Sequence, residues 1–314
     1  MLRSLRVSCS TPGIRKYTRS WYYLYMNHKT VVLYHGGCPD GFGGAWAAWK
    51  KFGDSAVYIA QKDRKIPAPE IDGAEVYLID FCFSTKEIMD DIQARAARLV
   101  VLDHHESAKD IVESMREHVY DVNRSGAGIA WDYFFPDTPR PLLISYLEDR
   151  DLYRHKYEET GPLHAYLEVR EFSFDEWDRV AYALEHPEEK EKMMLTARTY
   201  EEYFNLLADI SVQKAKLVEF EGHRVLFATC HPVKSLASRV GNLLAKKLPP
   251  IGLIVTAHPD GYGVSIRGDG SVDVSQIAAK YGGGGHTSAS GFLIHRNGPF
   301  PWTLLEENPK GSED

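Results

Sequence analysis

The sequence predicts an α/β protein: a doubly wound, mostly parallel sheet followed by a smaller α/β domain. Three observations carry this. The short apolar runs are continuous rather than alternating, as in strands buried on both faces. Helix-like segments separate them in a βαβ rhythm. After residue 125 the pattern becomes mostly helical before a second α/β unit begins.

Strands are expected at 31–34, 56–60, 76–79, 99–102 and 118–122, with helices at 43–52, 84–97 and 108–117. Ser84 with Glu87 reads as the capping box of the second helix. Helices follow at 126–135, 140–149, 174–184 and, as one long stretch, 195–220. In the second unit 223–229 reads as a strand and 235–247 as a helix. Segments 251–257 and 261–267 flank Pro259-Asp260-Gly261 as a hairpin, and 274–281 reads as a short helix. The expected division is a basic extension over 1–30, a catalytic domain over 31–190, a helical linker over 191–222, a substrate-binding domain over 223–296 and a polar tail over 297–314.

The 314 residues carry 37 Lys and Arg against 44 Asp and Glu, a net charge of −7. Residues 1–30 hold Arg3, Arg6, Arg15, Lys16, Arg19 and Lys29 and no acid, which leaves the body at −13. An acidic body is a poor platform for a long duplex, whose affinity comes from many Lys and Arg contacts with phosphates. A short anionic substrate fits better. The basic, serine-containing start resembles a transit peptide; the plainer reading, an upstream extension, is preferred. Four cysteines without a CxxC pair argue against a disulfide scaffold and a zinc ribbon, and make a reducing, cytoplasmic setting the default. No apolar run reaches the roughly 18 residues of a membrane span.

Five segments carry candidate chemistry. His35-Gly-Gly-Cys-Pro-Asp40-Gly41 sits in a strand-to-helix turn, where His and Asp can converge on a divalent cation. Asp80 ends a strand; alone it would read as a cap or turn former. Asp103-His104-His105 ends another, and three metal- or proton-competent residues in a row there point to function. Asp149-Arg150-Asp151 alone would read as a salt-bridged helix surface. Gly282-Gly283-Gly284-Gly285-His286 reads as a backbone nest for an anion with a histidine inside it. His35, Asp80 and Asp103 all fall at carboxyl ends of strands, the edge where open α/β sheets bind ligands. A Walker A loop and a G-x-S-x-G elbow are missing.

In their order and spacing these segments resemble the DHH phosphoesterase family with its C-terminal associated domain, over about residues 31–296. The first and fourth motifs resemble those of small oligoribonuclease-like members. The resemblance implies a two-metal site, usually manganese. His35 and Asp80 would hold one ion; Asp40, Asp80, His104 and Asp149 would hold the other, with Asp80 bridging. Asp103 would support the site from behind and His105 would contact phosphate. Arg267, Gly283, Gly284, Gly285 and His286 would bind substrate from the second domain, with Ser265 a further candidate. Cys38 stands where most members have an acid, and thiolate suits manganese poorly. The implied activity is hydrolysis of dinucleotides or short oligonucleotides to mononucleotides, with a homodimer as a permitted assembly. The alternatives are a phosphomonoesterase for a nucleotide such as 3′-phosphoadenosine 5′-phosphate, a cyclic-dinucleotide phosphodiesterase, and a non-catalytic nucleotide-binding protein.

Overall fold

The structure is a computed structural model that describes residues 30–61 and 69–305. The basic extension, apart from Thr30, and the end of the polar tail lie outside the described residues.

Two sheets organise the chain. The first has five parallel strands in the order β2-β1-β3-β4-β5: β1 Thr30–His35, β2 Ala56–Gln61, β3 Glu75–Ile79, β4 Arg98–Asp103 and β5 His118–Tyr120. The continuous apolar runs are buried on both faces, as the parallel arrangement requires. Val32, Tyr77, Ile79, Val100 and Leu102 face one helical layer, and Val31, Leu33, Val76, Leu78, Leu99 and Val101 face the other. Strand order reverses direction between β1 and β3, so a crevice opens past their carboxyl ends.

Helix α1, Pro39–Phe52, starts earlier than the apolar pattern suggests, because Pro39 presets its first turn and Asp40 favours its positive end. Helix α2, Lys86–Arg95, is capped by Thr85, whose hydroxyl accepts from Ile88 N; the cap expected at Ser84 lies one residue off. Helix α3 is only Lys109–Glu113. Helix α4 spans Gly126–Phe134. Helix α5 is Leu142–Asp151, two residues further along than expected, with Pro141 at its N-cap. Helix α6, Thr160–Glu168, was not anticipated; α7 is Phe174–Glu185 and α8 is Pro187–Gln213.

The long helical stretch expected to reach residue 220 ends at Gln213. Residues Lys216–Phe220 instead form β6, which pairs with β7, His223–Thr229. Burial alternates along the strand, with Val218 and Phe220 turned inward and Glu219 outward, once it pairs with β7. The second sheet therefore begins inside the stretch assigned to a linker. It continues through β8 Ile251–His258, β9 Gly261–Gly268, β10 Gly284–His286, β11 Ala289–His295 and β12 Thr303–Leu304, in the order β10-β11-β9-β8-β7-β6-β12. Only β7 and β8 run parallel. Strand β12 lies in what was read as a polar tail. The β8–β9 hairpin turns at Pro259-Asp260 as expected. Helix α9, Lys234–Lys247, packs on Ile254 and Ala228, while α10, Val274–Lys280, packs on Leu253, Val264 and Ile266. Among the described residues no helix is long and apolar enough to cross a membrane.

Candidate active site

The site forms at the carboxyl edge of the first sheet, at the crevice between β1 and β3. Asp80 is its centre. It follows β3 directly, is 1% exposed, and takes a left-handed backbone (φ 63°) that few non-glycine residues adopt. Such strain persists where the surroundings enforce it. Here Asp80 N donates to Leu102 O at 2.9 Å, tying the turn to β4. Gly126 closes over the other side: a Cβ there would lie 2.4 Å from Asp80 Cβ, so only glycine fits.

Two imidazoles meet this carboxylate. His35 Nδ1 lies 3.1 Å from Oδ2, and His104 Nε2 lies 3.2 Å from Oδ1. Burial opposes ionisation of Asp80, but hydrogen bonds from His104 and His35 outweigh it and hold the group well below the usual carboxylate range. Asp40, at the start of α1, is pinned by the first turn of α4: Gly126 N donates to Oδ2 at 2.6 Å and Ala127 N to Oδ1 at 3.1 Å. That is a carboxylate held on a helix N-terminus. Asp103, fully buried, offers Oδ1 to the backbone N–H groups of His104 and His105 and sits 2.7 Å from His105 Nδ1. It thereby fixes the His105 ring and leaves Nε2 for the crevice.

The residue expected from the fourth motif is not the one that arrives. Asp149 points away from the crevice and caps the loop after α5, accepting from Lys156 N at 2.8 Å, Tyr157 N at 3.4 Å and Thr160 Oγ1 at 2.5 Å. Asp151, two residues on, lies 3.5 Å from His104 Nε2, which is also 3.9 Å from Asp40 Oδ2. Residues two apart on a helix face nearly opposite ways, so only one of the pair can reach the site. A signal was present: Asp151 ends α5, where a carboxylate opposes the helix dipole and needs another reason to be there. The anchoring N–H groups of Gly126 and Ala127 were also missed, although Ser125 before them is a good cap residue.

Three acids thus crowd one point, with Asp40 and Asp80 buried and Asp151 on its exposed side. Burial first, then Asp80, raises the Asp151 carboxyl; burial, then Asp80 and Asp151, raises Asp40 well above its ordinary value. Burial lowers the His104 pKa, but the Asp80 hydrogen bond and the charges of Asp80, Asp151 and Asp40 raise it overall. This is a place that demands positive charge. The residues fit divalent ions: His35, Cys38 and Asp80 form one group, Asp80, His104 and His105 a second, and Asp40, His104 and Asp151 a third, each with ligand atoms within 4.8 Å of one another.

The second sheet supplies the opposite wall. The His286 ring stacks on His105, centroids 4.9 Å apart. Desolvation, with the nearby His105 and His104, lowers the His286 pKa to about 4. Arg267 and His286 share a rung: Arg267 pairs with Ala289, and Ala289 with His286, so both side chains leave the same sheet face. Arg267 Nη2 donates to Ser238 Oγ at 2.7 Å. The expected glycine nest takes another form. Gly282 (φ 75°) stops α10, Gly283 N donates to Ala278 O at 2.9 Å, and Gly284–His286 is an edge strand. Gly283 N–H is committed to closing the helix, and a Cβ at Gly283 would strike Gly291 O at 2.1 Å.

No family model matches the sequence. An uncharacterized protein of Acanthamoeba polyphaga mimivirus is 28% identical over 286 residues, covering 84% of this chain and 67% of that protein. The oligoribonuclease NrnB of Bacillus subtilis is 25% identical over 236 residues, covering 67% of this chain and 56% of that protein. The chain thus spans about two thirds and just over half the lengths of these relatives. A solved DHH domain, described as a member of the s1p family of ribosomal proteins, superposes with a TM-score of 0.55 at 12% identity over 85% of this chain and 83% of its own. Exonuclease RecJ bound to manganese superposes with a TM-score of 0.50 at 12% identity over 85% of this chain and 86% of its own. Fold and sequence point the same way: the chain shares the two-domain fold of a solved DHH domain, and its sequence is similar to that of an oligoribonuclease.

Proposed function

We propose that the chain is a metal-dependent phosphodiesterase that hydrolyses dinucleotides and short oligonucleotides to mononucleotides. One observation carries this reading: the buried Asp40 and Asp80, the more exposed Asp151 and His104 converge on a point that His286 faces from the other sheet, stacked on His105. The acidic body and the oligoribonuclease relative support a short substrate over a long one.

Asp40, Asp80, His104 and Asp151 would hold one ion, and His35 with Asp80 the other; manganese suits the oxygen-rich set. Divalent ions there would supply Lewis-acid stabilisation of the phosphoryl group and a nucleophile available at neutral pH. The protein does the rest. Burial opposes protonation of His105 and the Asp103 hydrogen bond raises its pKa overall; with Nδ1 on Asp103, its Nε2 is the atom that would contact the phosphate. His286 orients the phosphate from the other wall, and Arg267 offsets its charge. The acids pinned by α4 and β4 hold their geometry before substrate arrives.

The test mixes the full chain with Mn²⁺ and 5′-labelled dinucleotides and follows mononucleotide release. Release that His104→Ala abolishes is expected. Correctly folded protein that leaves dinucleotides intact under Mn²⁺, Mg²⁺, Co²⁺ and Zn²⁺ overturns the reading. Faster phosphate release from 3′-phosphoadenosine 5′-phosphate than dinucleotide cleavage also overturns it, in favour of a phosphomonoesterase.

A further inference from the structure

The two halves of the site differ in chemical softness. Around His104 stand Asp40, Asp80 and Asp151: three oxygen donors and one imidazole, a set that suits hard cations. The outer group is His35, Cys38 and Asp80: one nitrogen, one sulfur and one oxygen, with ligand atoms within 4.8 Å of one another. Asp80 belongs to both.

The local fold brings the sulfur to this point. His35 ends β1, and Gly36 and Gly37 form the turn that follows. Gly37 has φ 74°, a left-handed conformation suited to the third position of a type II turn. Such a turn returns the fourth residue, Cys38, toward the first, His35. Cys38 then serves as N-cap of α1, where Pro39 holds the entry and Cys38 O accepts from Phe42 N at 3.0 Å. Gly41 locks the arrangement from inside the helix: a Cβ there would lie 2.3 Å from His35 O and 2.8 Å from His35 Cβ. The first turn of α1 therefore rests directly on His35, and its N-cap thiol stays beside the imidazole.

Imidazole, thiolate and carboxylate are the ligand types that zinc takes, and catalytic zinc sites are built from three such protein ligands. Manganese and magnesium favour oxygen and bind thiolate weakly. We propose that Cys38 is a metal ligand and that it makes the outer position selective for a thiophilic borderline ion of the zinc or cobalt class, while the inner position keeps a hard-ion set. The two ions are then not interchangeable, although one carboxylate serves both. The proposal rests on the metal-site reading above, but its test needs no turnover, so the two can fail separately.

The experiment strips the full chain with a chelator and titrates it with Cd²⁺, whose bond to sulfur gives an ultraviolet charge-transfer band. Wild type should develop the band to saturation near one equivalent. Cys38→Ser should lack it and bind Zn²⁺ at least about tenfold more weakly, since even the loss of an outer partner of a ligand costs that much. Cys38→Asp should also lack the band, yet gain Mn²⁺ affinity relative to Zn²⁺ by a similar factor; it serves alone should the Ser variant not fold. Alkylation of Cys38, read by peptide mass spectrometry, should be slowed by Zn²⁺ and not by Mg²⁺. Saturable Cd²⁺ binding without the band overturns the proposal. So do a band of equal strength in either variant and an unchanged preference between Zn²⁺ and Mn²⁺ in Cys38→Asp.

Discussion

The two walls of the crevice are built on opposite principles. On the first sheet every reactive group is held. Asp40 takes two backbone N–H groups, Asp80 sits in an enforced left-handed turn between two imidazoles, and Asp103 gathers three donors on one oxygen. On the second sheet His286 rides a three-residue edge strand next to a glycine run, exposed except where it meets His105. Crowded buried charge needs fixed geometry, because a shift changes the energy steeply at low dielectric. An imidazole on such an edge strand can follow a ligand. Under the proposed function, chemistry is prepared on the first sheet and recognition is left adjustable on the second.

That contrast is broken or sharpened most strongly by one pair of variants. Asp80→Asn removes the charge both metal groups share, and kcat should fall on the order of 10³-fold. His286→Ala should raise KM, with kcat/KM falling only about tenfold, the worth of one hydrogen bond to a charged group. Steady-state kinetics on a dinucleotide separates them. Equal losses in kcat from both would mean that the second wall is as preorganised as the first.

Next in size is the pair on α5. Asp151→Asn should reduce Mn²⁺-dependent turnover by about 10²-fold. Without metal it should leave stability unchanged or higher, because it relieves repulsion with Asp80. Asp149→Asn should do the reverse. It lowers the acceptor capacity facing Lys156 N, Tyr157 N and Thr160 Oγ1, costing roughly 2–3 kcal/mol, with turnover per folded molecule retained. Urea unfolding beside single-concentration assays distinguishes the two.

These two residues also mark where the sequence stops being legible. Apolar runs ending in His35, Asp80 and Asp103 placed three site residues, because burial on both faces of a parallel sheet leaves a strong signature and the strand end fixes the side-chain position. Asp149 came from the motif resemblance, and the helix pattern by itself does not say which of two acids two residues apart faces the site. Helix α6 follows Asp149 through a cap the pattern does not announce. Strand β6 was hidden because Lys216–Phe220 continues a helix-compatible run, and only pairing with β7 decides its state. The glycine run showed that the backbone would be special at Gly282–Gly285. Whether it would form a nest or a helix stop with an edge strand depends on β11, which pairs with it from further along the chain.

The smallest expected effect lies at the seam between the walls. His164, on α6, has a buried Nε2 without a hydrogen-bond partner and sits near Arg150 of α5 and Arg239 of α9. Burial, reinforced by those two cations, lowers its pKa to about 3, far under the ordinary 6.5. A histidine held neutral in the fold takes up a proton more readily when unfolded. The unfolded chain therefore binds more protons between pH 6.5 and 3, and stability falls as pH drops through that window. The slope from this group is at most about 1.4 kcal/mol per pH unit. His164→Leu keeps the volume and removes the titration, so urea midpoints measured from pH 7 to pH 4 should decline less steeply than in wild type. Identical slopes would mean that the seam around His164 opens before the histidine is protonated.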